Sequence, residues 1–213
     1  MSNVKGRNIK VEISQTLGVA KTVSGVTKAS PGVATSTAHG LAEGTIGYWT
    51  VTAGMTELDG MAGSVDATAT NTWNVEAVDT TNFTTFTAGT FTPVATWVTL
   101  SPATGYDLAG GDADEIDVTT LLDNIHKVDF GLLGAETVNF NQLSDTQAVA
   151  ALQIEAAARA GTDVTFRITL PNGERRVFRG VPSLPGESLA LSQAANSSFK
   201  VAVKGRVLRL PVA

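Results

Sequence analysis

The chain holds 213 residues with no cysteine, 15 Lys and Arg against 20 Asp and Glu, and 43% apolar residues. That composition excludes disulfides, thiolate nucleophiles and cysteine-held metal centres, and it is too apolar for a disordered polymer. No stretch approaches the ~20 consecutive apolar residues that cross a bilayer, and the N-terminal segment MSNVKGRNIKVEISQTLGVA lacks the apolar block of a secretory leader, so a soluble folded chain with no cleaved signal is expected.

The charges are unevenly placed. Between Lys28 and Lys127 there is no Lys or Arg, and the twelve acids of that interval give it a formal charge of −12. The flanks hold all 15 basic residues and only eight acids, a balance of +7. Two units with different surroundings are implied.

In chain order, Ile9, Val11 and Ile13 alternate with Lys10 and Glu12, the period-2 signature of a half-buried strand over Arg7–Ser14. From Thr27 to about Thr92, Thr, Val, Ala and Gly dominate, and turn residues such as Pro31, Gly40, Gly54 and Gly60 punctuate short β-branched runs. This predicts a small all-β module with Trp49, Trp73, Phe83, Phe86 and Phe91 inside it. The segment DLAGGDADEID, Asp107 to Asp117, is Gly-rich and acidic and the IDVTTLLD that follows alternates like a strand entering a turn, so a loop that rejoins the first unit is expected.

One helix is expected, over about 145–160. Ser144 and Gln147 have capping-box spacing, Val149, Leu152 and Ala156 form an apolar stripe, Glu155 can pair with Arg159, and Gly161 stands at the C-terminal cap. Val164, Phe166, Ile168 and Leu170 then alternate with polar residues, Pro171-Asn172-Gly173 turns the chain, and Arg175–Val181 returns as a hairpin. Phe199, Val201 and Val203 define a last strand, Phe199 to Arg206. The fold expected is mainly β: an antiparallel sandwich or barrel core with one packed helix, plus a small inserted all-β domain.

Catalytic chemistry finds little support. His39 and His126 are the only histidines, and neither a G-x-S-x-G elbow nor a phosphate-binding glycine loop is present. Asp112, Asp114, Glu115 and Asp117 offer oxygen ligands suited to Ca2+ but lack the spacing of a helix-flanked calcium loop, so a solvated acidic loop is expected. Lys10, Arg167, Arg176, Lys200, Lys204 and Arg206 fall on polar strand parities without interleaved aromatics, which argues against a nucleic-acid platform and for solvated or inter-subunit charges. No cofactor and no metal site is expected.

Two stretches carry a resemblance. KASPGVATSTAHGLAEG, AGMTELDG and NTWNVEAVDTTNFTTFTAGT together resemble the small β-module recurrent in bacteriophage tail proteins. DEIDVTTLLD, RAGTDVTFRITLPNGERRVFRGVPS and the final strands, with the N-terminal NIKVEIS, resemble the tail tube proteins of long non-contractile tails. The resemblance implies a discontinuous core of residues 1–26 and 93–213 with a module, 27–92, inserted on the outer tube surface. It implies a non-enzymatic virion protein that self-assembles into stacked hexameric rings around a tape measure protein. Tail terminator and distal tail or baseplate proteins would be partners, with DNA passing through the lumen unbound and no membrane involved. On that analogy the six basic positions and the four acidic ones are candidate subunit or ring contacts. The rival reading is a virion-surface adhesion module that holds host glycans on exposed rings of the β-module.

Overall fold

A computed structural model of the chain describes residues 8–100, 103–145, 147–191 and 194–212. In chain order the strands are β1 (Lys10–Leu17), β2 (Lys21–Val23), β3 (Gly25–Val26), β4 (Val33–Thr35), β5 (Ile46–Gly54), β6 (Ala62–Asp66), β7 (Thr72–Val75) and β8 (Phe86–Thr99). They continue as β9 (Ala103–Ala109), β10 (Ala113–Asp117), β11 (Val128–Leu133) and β12 (Thr137–Leu143). Helix α1 (Val149–Ala160) precedes β13 (Val164–Thr169), β14 (Arg175–Pro182), β15 (Gly186–Ser188), β16 (Asn196–Val203) and β17 (Leu208–Leu210). The fold is mainly β with one α-helix among the described residues, as expected.

All strands but two join one curled antiparallel sheet in the order β3-β4-β7-β6-β5-β8-β1-β13-β14-β16-β12-β9, with β2, β15 and β17 as side partners. β10 and β11 form a separate two-stranded sheet. Two apolar clusters fill the curl. The first holds Trp49, Trp73, Phe91, Met55 and Leu58 and takes in Val177, Leu208 and Leu210 from β14 and β17. Trp49 stacks near Trp73 at 6.1 Å, and Phe91 lies 5.1 Å from Trp49. The second is built on Phe140, Phe166, Phe178 and Phe199, with neighbouring centroids 5.0–5.6 Å apart, under Ala150, Ile154 and Ala157 of α1.

Strand β8 belongs to both clusters. Its first part pairs with β5 and β2 and its last part with β1, so the strand runs through position 92–93 without a break. Arg175 and Glu76 meet at 3.7 Å across the two parts, and the Arg179 guanidinium lies 3.8 Å over the Tyr48 ring.

Several expectations are corrected. β1 runs from Lys10 past the expected end at Ser14 to Leu17, Arg7 lying outside the described residues, and it is buried on both parities, because Glu12 finds ion partners and Ser14 receives the Thr165 amide proton. The capping box does not form: Ser144 donates its hydroxyl to Glu187 instead, Ala148 takes the N-cap position, and the helix starts at Val149. The stripe Val149, Leu152, Ala156 faces outward, while Ala150, Ile154 and Ala157 pack inward. The Asp107–Asp117 loop is instead two strand segments, β9 and β10. The last strand stops at Val203, where Lys204 and Gly205 (φ 80°) turn the chain into β17. Gly161 caps α1 at φ 63°, Glu155 pairs with Arg159, and the hairpin β13–β14 turns at Gly173 (φ 87°), as the sequence implied.

The two clusters set a measurable contrast. Phe166→Ala removes a fully buried ring from the second cluster and should destabilise the fold by about 3–5 kcal/mol in urea unfolding. Phe130→Ser, at a ring 64% exposed on β11, should change stability by no more than about 0.5 kcal/mol.

Candidate assembly surfaces

The basic candidates divide by partner. Glu12, buried between β8 and β13, accepts from Lys10 at 2.8 Å and from Arg167 at 2.7 Å, and the Arg167 guanidinium stacks on Trp97 at 4.4 Å. Burial works to raise the Glu12 carboxyl, but hydrogen bonds and charge from Lys10 and Arg167 outweigh it and hold the group below its ordinary value of 4.5. Arg176 pairs with Glu174 at 2.8 Å, and Lys204 shares Asp163 with Arg179. Lys200 and Arg206 are exposed and make no ion pair among the described residues. Lys200 lies on the open face of β16, opposite Asn139 of β12, which in turn faces Asp107 of β9.

The acidic candidates all lie at or on the β10–β11 hairpin. Asp112 precedes β10 and accepts the Gly134 amide proton at the base, while Asp114, Glu115 and Asp117 lie along the strand. Glu115 stands opposite Phe130 and Asp117 opposite Val128, so carboxylates and apolar side chains share rungs. The base is narrow: a Cβ on Gly111 would lie 1.9 Å from the Gly134 carbonyl oxygen, which makes glycine obligatory there.

Sequence reasoning missed the apolar side of this hairpin. No residue from 109 to 134 is buried, and nine large apolar side chains, Ile116, Val118, Leu121, Leu122, Ile125, Val128, Phe130, Leu132 and Leu133, are about half to fully exposed. The available signal was the density of such residues between carboxylates in DVTTLLDNIHKVDFGLL. The tip is tightly hydrogen-bonded. Asp123 accepts from the Thr120 amide and hydroxyl at 2.9 and 2.8 Å and pairs with Lys127, and the Lys127 amide donates to the Thr119 hydroxyl at 3.0 Å. These contacts, led by Lys127, hold the Asp123 carboxyl below its usual range.

Neither histidine has catalytic geometry. His39 is buried: Nδ1 accepts the Leu41 amide proton at 3.0 Å, Nε2 lies 2.8 Å from the Ala69 carbonyl oxygen, and the ring meets Trp73 edge-on at 4.8 Å. His126 is exposed, and its Thr119 and Asp117 contacts, 3.1 and 3.6 Å, both fall on Nδ1, so no proton can be relayed between them through the ring. Trp49, Trp73, Phe86 and Phe91 are buried in the first cluster and Phe83 is half-buried against it, so burial of these rings counts against a glycan platform built on them. No helix is long and apolar enough to cross a membrane among the described residues.

Comparison with known proteins gives one family. The sequence model described as "Phage tail tube protein, TTP" matches residues 53–210, most of the chain, which includes the acidic hairpin, α1 and all strands from β6 to β17. No curated protein matches the chain.

The Glu12 cluster has a pH signature. Because the folded-state value is lowered, the stabilisation from Glu12 is complete above pH 4.5 and is lost as the pH falls from there through the lower folded value. Glu12→Gln should cost about 1–3 kcal/mol at neutral pH. In unfolding titrations its deficit against the parent chain should shrink on acidification below pH 4.5 and stay constant above it.

Proposed function

The chain belongs to the phage tail tube protein family, structural virion proteins rather than enzymes, and on that premise we propose that its subunits close into hexameric rings that stack into a DNA conduit. The rings belong to a long non-contractile tail, enclose a tape measure protein, and end at a tail terminator on one side and at distal tail or baseplate proteins on the other. Residues 27–92 form the module carried on the outer surface. DNA passes through the lumen without specific binding and is delivered to the host on ejection.

One observation carries the reading: the large sheet is left open at β9, a seven-residue strand whose second edge has no partner among the described residues. A long exposed edge is a template for another chain, and closure of strands into a ring is the arrangement that abolishes it. The exposed apolar hairpin supports the same reading, since monomers rarely leave so much apolar surface in contact with water.

The split of charge, −12 in the central interval against +7 in the flanks, is proposed to act between subunits. Asp112, Asp114, Glu115 and Asp117 meet basic positions of a neighbour. Of those, Lys200 and Arg206 are the freest, and Lys10, Arg167, Arg176 and Lys204 are already engaged within the subunit.

Purified chain, concentrated and seeded with tail fragments, should form rings or tubes of uniform width in negative-stain microscopy, and monodisperse monomers under every condition would sink the reading. Lys200→Glu with Arg206→Glu should slow growth several-fold at low salt and less at high salt, where exposed pairs are screened. Growth indifferent to both salt and charge reversal would refute the charge contact alone.

A further inference from the structure

One rung of the large sheet carries three polar side chains that packing does not explain. Gln142 of β12 stands opposite Ser197 of β16, and Ser197 stands opposite Glu187 of β15. Residues directly opposite on neighbouring strands project from the same face, so an amide, a hydroxyl and a carboxylate form a row. The row continues the face on which Phe140 and Phe199, also opposite one another, build the second apolar cluster. Gln142 is 4% and Ser197 6% exposed, and both line a concavity of about 340 Å3. Neither side chain has a hydrogen-bond partner among the described residues, although buried polar groups cost free energy when left unpaired.

The walls add charge and an apolar flank. Ala151, Glu155 and Arg159, spaced by four residues on α1, line one side, and Leu184 and Pro185 line another. Glu155 is matched by Arg159 at 2.6 Å. Glu187 accepts the Ser144 hydroxyl and Asp145 accepts the Gln147 amide proton, and neither carboxylate has an ion partner among the described residues. The lining therefore carries a formal charge of −2.

We infer that this concavity is a binding site for an arginine side chain presented by a polypeptide partner. Among the described residues no three acidic or histidine side chains converge closely enough to hold a metal ion. Acceptors spread along a rung suit a planar cation with five N–H donors in a fixed fork, which can reach the Glu187 carboxylate, the Ser197 hydroxyl and the Gln142 carbonyl together. A compact ammonium has no such span. The aliphatic stem of the arginine lies against Ala151, Leu184 and Pro185, which covers Leu184, otherwise 53% exposed. Charge sets the source as well. The carboxylate of free arginine is repelled by a lining of −2, whereas the backbone of a polypeptide is neutral there. The site goes beyond the tube reading and does not depend on it.

The test titrates the full chain, below the concentration at which it assembles, with N-acetylargininamide while following backbone amide NMR shifts. Saturable shifts at Gln142, Ser197, Glu187 and Ala151 are expected. N-acetylcitrullinamide, of the same shape without the charge, should bind about 10-fold more weakly or less tightly still. Glu187→Gln, an exposed change that keeps an acceptor for Ser144, and Gln142→Leu, of similar volume, should each weaken binding about 10-fold. Arg159→Ala should tighten it a few-fold, because Glu155 is released to the ligand. Absence of saturable shifts at the rung, or equal binding of the citrulline compound, overturns the site. Unchanged binding in Glu187→Gln overturns the assigned contact, whether or not Gln142→Leu folds. Free arginine binding as tightly as N-acetylargininamide overturns the polypeptide source.

Discussion

Fourteen residues of β8, Phe86 to Thr99, hydrogen-bond to β5 and β2 at one end and to β1 at the other, and everything else in the chain is placed by that shared strand. Phe86, Phe91 and Trp97 serve the first apolar cluster, with Phe91 against Trp49, and Val98 packs against the second. β14 repeats the arrangement from the other side, since Val177 enters the first cluster while Phe178 enters the second. A sheet in which one strand serves two cores cannot let either part swing freely. The orientation of the Trp-containing part is therefore set by backbone pairing, with Arg175–Glu76 and Arg179–Tyr48 as side-chain reinforcement.

That rigidity explains where the open surfaces lie. The sheet ends at β9 because the chain leaves it there for the hairpin and returns only at β12, which covers one side of β9 and leaves the other bare. The glycines at the hairpin base allow exit and return strands to approach backbone to backbone. Beyond them, only local hydrogen bonds hold the two strands, and an isolated two-stranded ribbon is marginal in water. The Asp123–Thr120–Lys127 contacts at the tip and Asp117–Thr119 beside it offset part of that weakness with no demand for burial.

Much of this was legible in the residues, and the failures have physical causes. The β13–β14 hairpin could be read because Pro171-Asn172-Gly173 has the chemistry its turn needs and because both strands alternate cleanly. The buried tryptophans followed from the β-branched runs around them. The alternation of IDVTTLLD into a turn was legible, but its pairing into the β10–β11 ribbon was not, because Glu115 opposite Phe130 and Asp117 opposite Val128 give neither face a uniform polarity. Strand β8 was hidden by Pro93 and by Thr, Ala and Gly with weak contrast. Glu12 defeats the alternation rule because its charge is matched inside the fold, which no single-strand pattern reveals.

Helix α1 offers the most instructive mismatch. The capping box failed because Ser144 had a better partner in Glu187, and the helix started later than its spacing implied. The stripe Val149, Leu152, Ala156 is present, but it faces away from the core. Ala150, Ile154 and Ala157 suffice inward because Phe140, Phe166 and Phe199 already fill the space beneath them, and larger residues there would overpack it. Val149 and Leu152 are thus left outside by the volume of the chain's own core rather than by any lack of apolar character. A helix that turns Ala inward and Val and Leu outward is amphipathic toward two surfaces at once. Only one of those surfaces is covered within the subunit.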